Sequence, residues 1–215
     1  MELLKDFVDL FLHLDRHLSE LIARYGTSTY AILFLIIFCE TGLVVTPFLP
    51  GDSLLFAAGT FAGLGDLNPG VLFGLLFLAS VLGDSTNYWV GRYVGPRAFS
   101  GNIRFLKREY LDKTRDFYQR HGAQTVIVAR FLPIIRTFAP FVAGVGQMTY
   151  ARFLAMSLIG SAAWVGLFVG AGYFFGNLPV VRENFSLVVM AIIAVSLLPM
   201  ALEIGKGWLA RRRGS

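Results

Sequence analysis

Four ionisable residues interrupt otherwise apolar sequence: Glu40 and Asp52 in one stretch, Arg130 and Arg136 in another. The first stretch reads Phe38-Cys-Glu40-Thr-Gly-Leu-Val-Val-Thr-Pro47-Phe-Leu-Pro50-Gly51-Asp52. The second reads Arg130-Phe-Leu-Pro133-Ile-Ile-Arg136-Thr-Phe-Ala-Pro140-Phe-Val-Ala-Gly144. Glu40 lies ten residues before Pro50, and Arg130 lies ten before Pro140. Arginine keeps its charge and presents a planar fork of donors that matches phosphate oxygens. Glutamate and aspartate can take up a proton, and burial and a neighbouring guanidinium act on that affinity in opposite senses. This chemistry makes Arg130 and Arg136 candidates for gripping a lipid phosphate, and Glu40 and Asp52 candidates for proton coupling. Plainer readings stand beside these. The arginines can simply neutralise the acids in buried pairs, and Asp52 can cap a helix after the Pro-Gly turn.

The surrounding chain says where this chemistry sits. Hydrophobic residues make up 55% of the 215 and charged residues 15%, unlike a soluble globular chain. Phe153 to Gly176 is 24 residues without a charge, enough to cross a ~30 Å hydrocarbon core. Phe185 to Leu202 adds 18 uncharged residues, and the stretch at about 70–91 is broken only by Asp84 within its apolar part. A charge at the bilayer centre costs at least ~2.5–3.5 kcal/mol, so such residues usually serve a pathway or a site. Broken backbone at that depth must be buried in protein or line a wet cavity. Pro47, Pro50 and Gly51 break the first stretch, and Pro133, Pro140 and Gly144 the second, because an interior proline costs ~3 kcal/mol or more.

These features predict an all-α polytopic membrane protein, a single membrane domain over 1–215. It is an inverted repeat of amphipathic helix, re-entrant helical hairpin and transmembrane helix, followed by a C-terminal transmembrane helix. Residues 1–26 form the N-terminal amphipathic helix, 27–92 the first repeat and 93–121 a basic cytoplasmic amphipathic loop. Residues 122–176 form the second repeat, and 177–215 the last transmembrane helix and basic tail. The loop 93–121 and the tail Arg211-Arg212-Arg213 are placed in the cytoplasm by the positive-inside rule. Residues 1–26 carry three Lys/Arg against five Asp/Glu, which places the N-terminus outside. Their mixed charges and lack of a long apolar centre are not those of a cleaved signal peptide.

Asp84, Asn87, Tyr88 and Gly91 recur at helical spacing and form a polar stripe that lines a cavity or ties helices together. Gly59/Gly63, Gly91/Gly95, Gly166/Gly170 and Gly172/Gly176 have the spacing of close helix packing. His13 and His17 lie one turn apart without an apparent third ligand, and Cys39 is the single cysteine, so neither a metal nor a cofactor is expected. The net charge of +5 gathers in one loop and the tail, a membrane pattern and not a nucleic-acid surface.

Glu40 with Pro47-Phe-Leu-Pro-Gly-Asp52, Gly83-Asp84-Ser-Thr-Asn87-Tyr88-Trp-Val-Gly91-Arg92, and Arg130 through Gly144 together resemble the bacterial DedA family. The likeness covers roughly residues 25–200. It implies an inner-membrane protein related to VTT-domain lipid scramblases. The implied cargo is a membrane lipid, undecaprenyl phosphate or a phospholipid, and the family's required acids and arginines match Glu40, Asp52, Arg130 and Arg136.

Lipid translocation, driven by or sensitive to the proton gradient, is therefore the leading expectation. A proton-dependent cation or drug exporter is the alternative, made less natural by two arginines at the same depth. A lipid-phosphate-modifying enzyme would need a nucleophile, and His13, His17 and His121 lie outside the broken motifs, so the chain is not read as an enzyme. A non-transporting scaffold would leave four intramembrane charges without a use. Lipid identity, direction of movement and oligomeric state stay open, a homo-oligomer being compatible with the chain.

Overall fold

The computed structural model describes residues 14–43, 51–100 and 124–195, and the regular structure among them is helical. Helix α1 (Leu14–Tyr25) passes through a 3-10 turn (Gly26–Ser28) into α2 (Thr29–Gly42). Next come α3 (Gly51–Leu64), α4 (Pro69–Ser100), α5 (Gln124–Ala129) and α6 (Pro133–Val145). The chain continues with α7 (Tyr150–Phe175) and α8 (Pro179–Glu183), then an apolar helix α9 over Phe185–Val195. Among the described residues, three stretches are long and apolar enough to cross a membrane: Arg16–Gly42, Pro69–Val94 and Tyr150–Phe175. This is an all-α polytopic membrane protein.

Helices α3 and α6 have 14 and 13 residues, each short of the ~20 that a hydrocarbon core requires, whereas α2, with 14, reaches that length only together with α1. Helix α3 is buried on every side from Gly51 to Thr60, so it lies inside the bundle. Its end is a Schellman motif: Gly65 N–H reaches Ala62 O at 3.2 Å, Asp66 N–H reaches Phe61 O at 3.1 Å, and Gly65 has φ +92°. Asn68 then caps α4, its Oδ1 accepting from Gly70 N (3.0 Å) and Val71 N (3.1 Å), with Pro69 opening the helix. The same device ends α6. Gln147 N–H reaches Gly144 O and Met148 N–H reaches Ala143 O, both at 3.0 Å, with Gln147 at φ +55°. Each short inner helix thus turns back through an equivalent turn into a long one.

The long helices α4 and α7 cross with opposite sense. Ser80 meets Ser161, Asp84 meets Ser157 and Ser85 meets Tyr150, so numbers rise along one helix as they fall along the other. Each short inner helix packs on the long helix of the other half. Gly59 of α3 lies against the Val169 backbone of α7, and Gly172 of α7 against the Phe56 backbone. Likewise Gly91 of α4 lies against Phe141 of α6, and Gly144 against Tyr88. A Cβ at any of the four would collide with main-chain atoms. Gly63 and Gly176 are also tightly neighboured, whereas Gly170 faces open space and Gly166 meets only the Phe73 ring, at 3.6 Å. The Gly166/Gly170 spacing therefore does not mark a close crossing.

One helix runs past a boundary read in the sequence, and the boundary at 26/27 falls at a turn. Helix α4 runs on through Arg92 to Ser100, past the expected end of the first repeat at 92. Pro96 costs it one hydrogen bond but holds a helical φ, and the basic residues mark where apolar sequence stops, not where the helix does. At the N-terminal side, only three residues of 3-10 turn separate α1 from α2, so the amphipathic helix is continuous with the first hairpin's leading arm. The expected helix over residues 2–13, Pro47 and Pro50, most of the basic loop and the tail lie outside the described residues.

Candidate functional site

The second broken stretch opens as the sequence requires. Arg130, Phe131 and Leu132 form tight turns onto Ile127, Val128 and Ala129. Leu132 is extended (φ −114°, ψ 105°), as a residue before proline tends to be, and Pro133 starts α6. Pro133 thus separates two helices, but Pro140 and Gly144, expected to break the stretch, sit inside α6, where Pro140 frees only the carbonyl of Arg136. Arg130 therefore projects from the break and Arg136 from the first turn of α6.

Arg136 is buried and grips both acids of the first stretch. Its Nη1 donates to Asp52 Oδ1 at 2.6 Å and its Nη2 to Glu40 Oε1. Glu40 comes from the last turn of α2 and Asp52 from the first turn of α3. Glu40 Oε1 also accepts the backbone N–H of Gly51 at 3.3 Å, so Glu40 serves as an anion at the start of α3. The glycine at 51 is required by this approach, because a Cβ there would run into the Glu40 carboxylate. Asp52 Oδ1 also accepts the indole N–H of Trp164 at 2.8 Å.

Arg130 takes a different partner. Its Nη1 donates to Asp84 Oδ2 at 2.5 Å and its Nη2 to Ser80 Oγ. Ser157 Oγ donates to the same Asp84 oxygen at 2.6 Å. Asp84, read in the sequence as a cavity-lining or structural polar residue, is thus the carboxylate of a second buried ion cluster. The two clusters meet at one ring: the guanidinium carbons of Arg130 and Arg136 lie 5.5 and 5.1 Å from the centre of Trp164.

Asn87 ties the two broken stretches together, donating to Thr41 O (3.3 Å) and Thr137 O (2.6 Å). Tyr88 donates its hydroxyl to Met148 O and accepts from Arg92 Nη1 at 2.9 Å. Both residues tie helices together, Asn87 through the carbonyls next to Glu40 and Arg136. Ser80, Ser157, Ser161 and Trp164 were not singled out from the sequence. Serines four apart in an apolar span are a usable signal for the second and third. Trp164 resembles any other aromatic of that span. Among the described residues, no three His, Cys, Asp or Glu side chains cluster as metal ligands.

A family model, the VTT domain, matches residues 49–174. The chain is 55% identical over 207 residues to Protein DedA of Escherichia coli (strain K12), covering 95% of this chain and 94% of that one. The chain belongs to the DedA family of VTT-domain membrane proteins. An uncharacterized membrane protein of Mycobacterium tuberculosis (strain ATCC 25618 / H37Rv) shares 41% identity over 191 residues, 87% of this chain and 84% of its own. The inner membrane protein YqjA of Escherichia coli (strain K12) shares 32% over 152 residues, 70% and 69% respectively. No solved structure matches this DedA-family chain.

Proposed function

We propose that this protein moves a lipid phosphate, a polyprenyl phosphate or a phospholipid, across the bacterial inner membrane in exchange with protons. The observation that carries the reading is Arg136 held between Glu40 and Asp52 beside a break in the second helical arm. A phosphate offers arginine paired acceptor oxygens, so one phosphate can take up both donations that Glu40 and Asp52 now share. Counting the buried site supports proton exchange. Three acids, Glu40, Asp52 and Asp84, face two arginines, Arg130 and Arg136. An uncompensated buried charge is strongly unfavourable. A proton carried by Glu40 balances this site and loosens one of the two contacts of Arg136 toward an incoming phosphate.

The crossed, oppositely directed halves suit this reading, since paired inverted elements around a central site are a common route to alternate openings. In the proposed orientation, the turns 65–68 and 176–178 face the periplasm and the C-terminal tail faces the cytoplasm. The N-terminus is then periplasmic if the first hairpin re-enters on one side. A cation exporter is less well supported, because both arginines would repel the cargo.

The test is reconstitution in liposomes with a fluorescent polyprenyl phosphate or phospholipid, following leaflet exchange with and without an imposed pH gradient. Exchange above that of empty liposomes, responsive to the gradient, is expected. Exchange equal to empty liposomes for both lipid classes would remove the reading.

A further inference from the structure

We propose that Trp164 is the positioning residue that holds both arginines in place while their anionic partners change. This rests on the reading of Arg136 and Arg130 as the phosphate grip, but its test does not depend on that reading. Three side chains of α7 reach the ion clusters or their partners: Ser157 touches Asp84, Ser161 touches Ser80 and Trp164 touches Asp52. Trp164 contacts both clusters, and it is 1% exposed.

The indole divides its work between two features. Its ring carries negative charge on its face and attracts a guanidinium within about 6 Å, more strongly where water is excluded. Both guanidinium carbons satisfy that distance. The indole N–H is a donor only, and it is spent on Asp52 Oδ1. When a carboxylate lets go of its arginine, the ring face keeps the guanidinium near its place. The N–H meanwhile keeps Asp52 from following Arg136. Leucine would supply neither feature, and phenylalanine would supply the face without the donor.

This separation gives each variant its own signature. The full-length protein in detergent is treated with an arginine-directed dicarbonyl reagent, and labelling of Arg130, Arg136 and the exposed Arg182 is read by mass spectrometry. Trp164→Phe should speed labelling of Arg136 several-fold, because Asp52 loses a donor, and leave Arg130 within about twofold of wild type. Trp164→Leu should speed both by about tenfold, with Arg182 unchanged. Thermal unfolding of each variant controls for global loosening. If Trp164→Leu does not fold, Trp164→Phe decides alone: wild-type labelling at both arginines in a folded protein overturns the proposal.

Binding of farnesyl phosphate, read by isothermal titration, separates the two ideas. Wild-type protein that fails to bind it removes the polyprenyl phosphate arm of the phosphate reading, while the labelling pattern still decides the role of Trp164. Where wild type binds, Trp164→Leu should lose about tenfold in affinity. Unchanged affinity in folded Trp164→Leu overturns the proposal.

Discussion

Ser80 and Ser161 meet hydroxyl to hydroxyl at 3.3 Å, and each lies eleven residues beyond the first residue of its own long helix, Pro69 or Tyr150. Equivalent positions of two antiparallel helices touch each other only where a two-fold axis passes between them. The crossing of α4 and α7 is therefore the centre of the repeat. The ion clusters flank it, with Ser80 reaching Arg130 and Trp164 standing one turn beyond Ser161.

The serine contact itself should be weak. Hydrogen bonds between helices in lipid average about 0.6 kcal/mol. Ser161→Ala is expected to lower the unfolding temperature in detergent only slightly, whereas Ser161→Leu should cost about 1–3 kcal/mol by overpacking a crossing without room. Equal effects from the two variants would mean that the crossing is looser than its geometry.

Glycine substitutions should sort by position, not by motif. Gly172→Ala and Gly144→Ala place a methyl against a facing carbonyl and should destabilise by about 1–3 kcal/mol or more. Gly170→Ala, with nothing within 4 Å, should be neutral or slightly stabilising, since alanine is favoured over glycine in a helix by up to about 1 kcal/mol. Thermal unfolding of the three variants in one detergent checks the order.

Much of this arrangement was legible in the residues alone. The break at Pro133, the start of α4 at Asn68-Pro69 and the gathering of Glu40, Asp52 and Arg136 follow from residue types and the cost of unpaired charge. The partner of Arg130 was not legible. It lies 46 residues away on α4, and only the packing of the break before α6 against that helix brings them together. Trp164 was hidden for a different reason: an aromatic in an apolar span has a sufficient explanation in lipid. The run of α4 on to Ser100 was not legible, because charge marks where apolar sequence stops and not where a helix does.

Topology follows from the proposed orientation. In a protein lacking Cys39, single cysteines at 67 and 180 should react with an impermeant thiol reagent added outside. Cysteines at 110 and 213 should react only after the cytoplasmic side is opened. Labelling of 67 and 180 from opposite sides would break the paired-repeat arrangement.

Arg136 makes two separate donations to two acids, which a single ammonium reproduces poorly. Arg136→Lys should keep the fold yet lose most lipid exchange in liposomes, and Arg130→Lys should do the same. Full exchange by both correctly inserted variants would leave charge compensation as the whole role of these residues.

Glu40→Gln and Asp84→Asn divide proton coupling from static pairing, because their partners differ. With Glu40→Gln, Arg136 stays paired with Asp52 and the new amide oxygen can still accept from Gly51, so no buried cation is stranded. The variant should fold with near wild-type thermal stability but lose the response of lipid exchange to a pH gradient. Asp84→Asn removes the carboxylate that Arg130 contacts, leaving serine hydroxyls and an indole face to hold a buried cation. Breaking such a pair costs about 3–5 kcal/mol, so this variant should unfold early or fail to accumulate. Stability and gradient-dependent exchange are measured on both variants together. A stable Glu40→Gln protein whose exchange still follows the gradient as wild type does would take proton coupling away from Glu40 and leave Asp52 as the carrier to test.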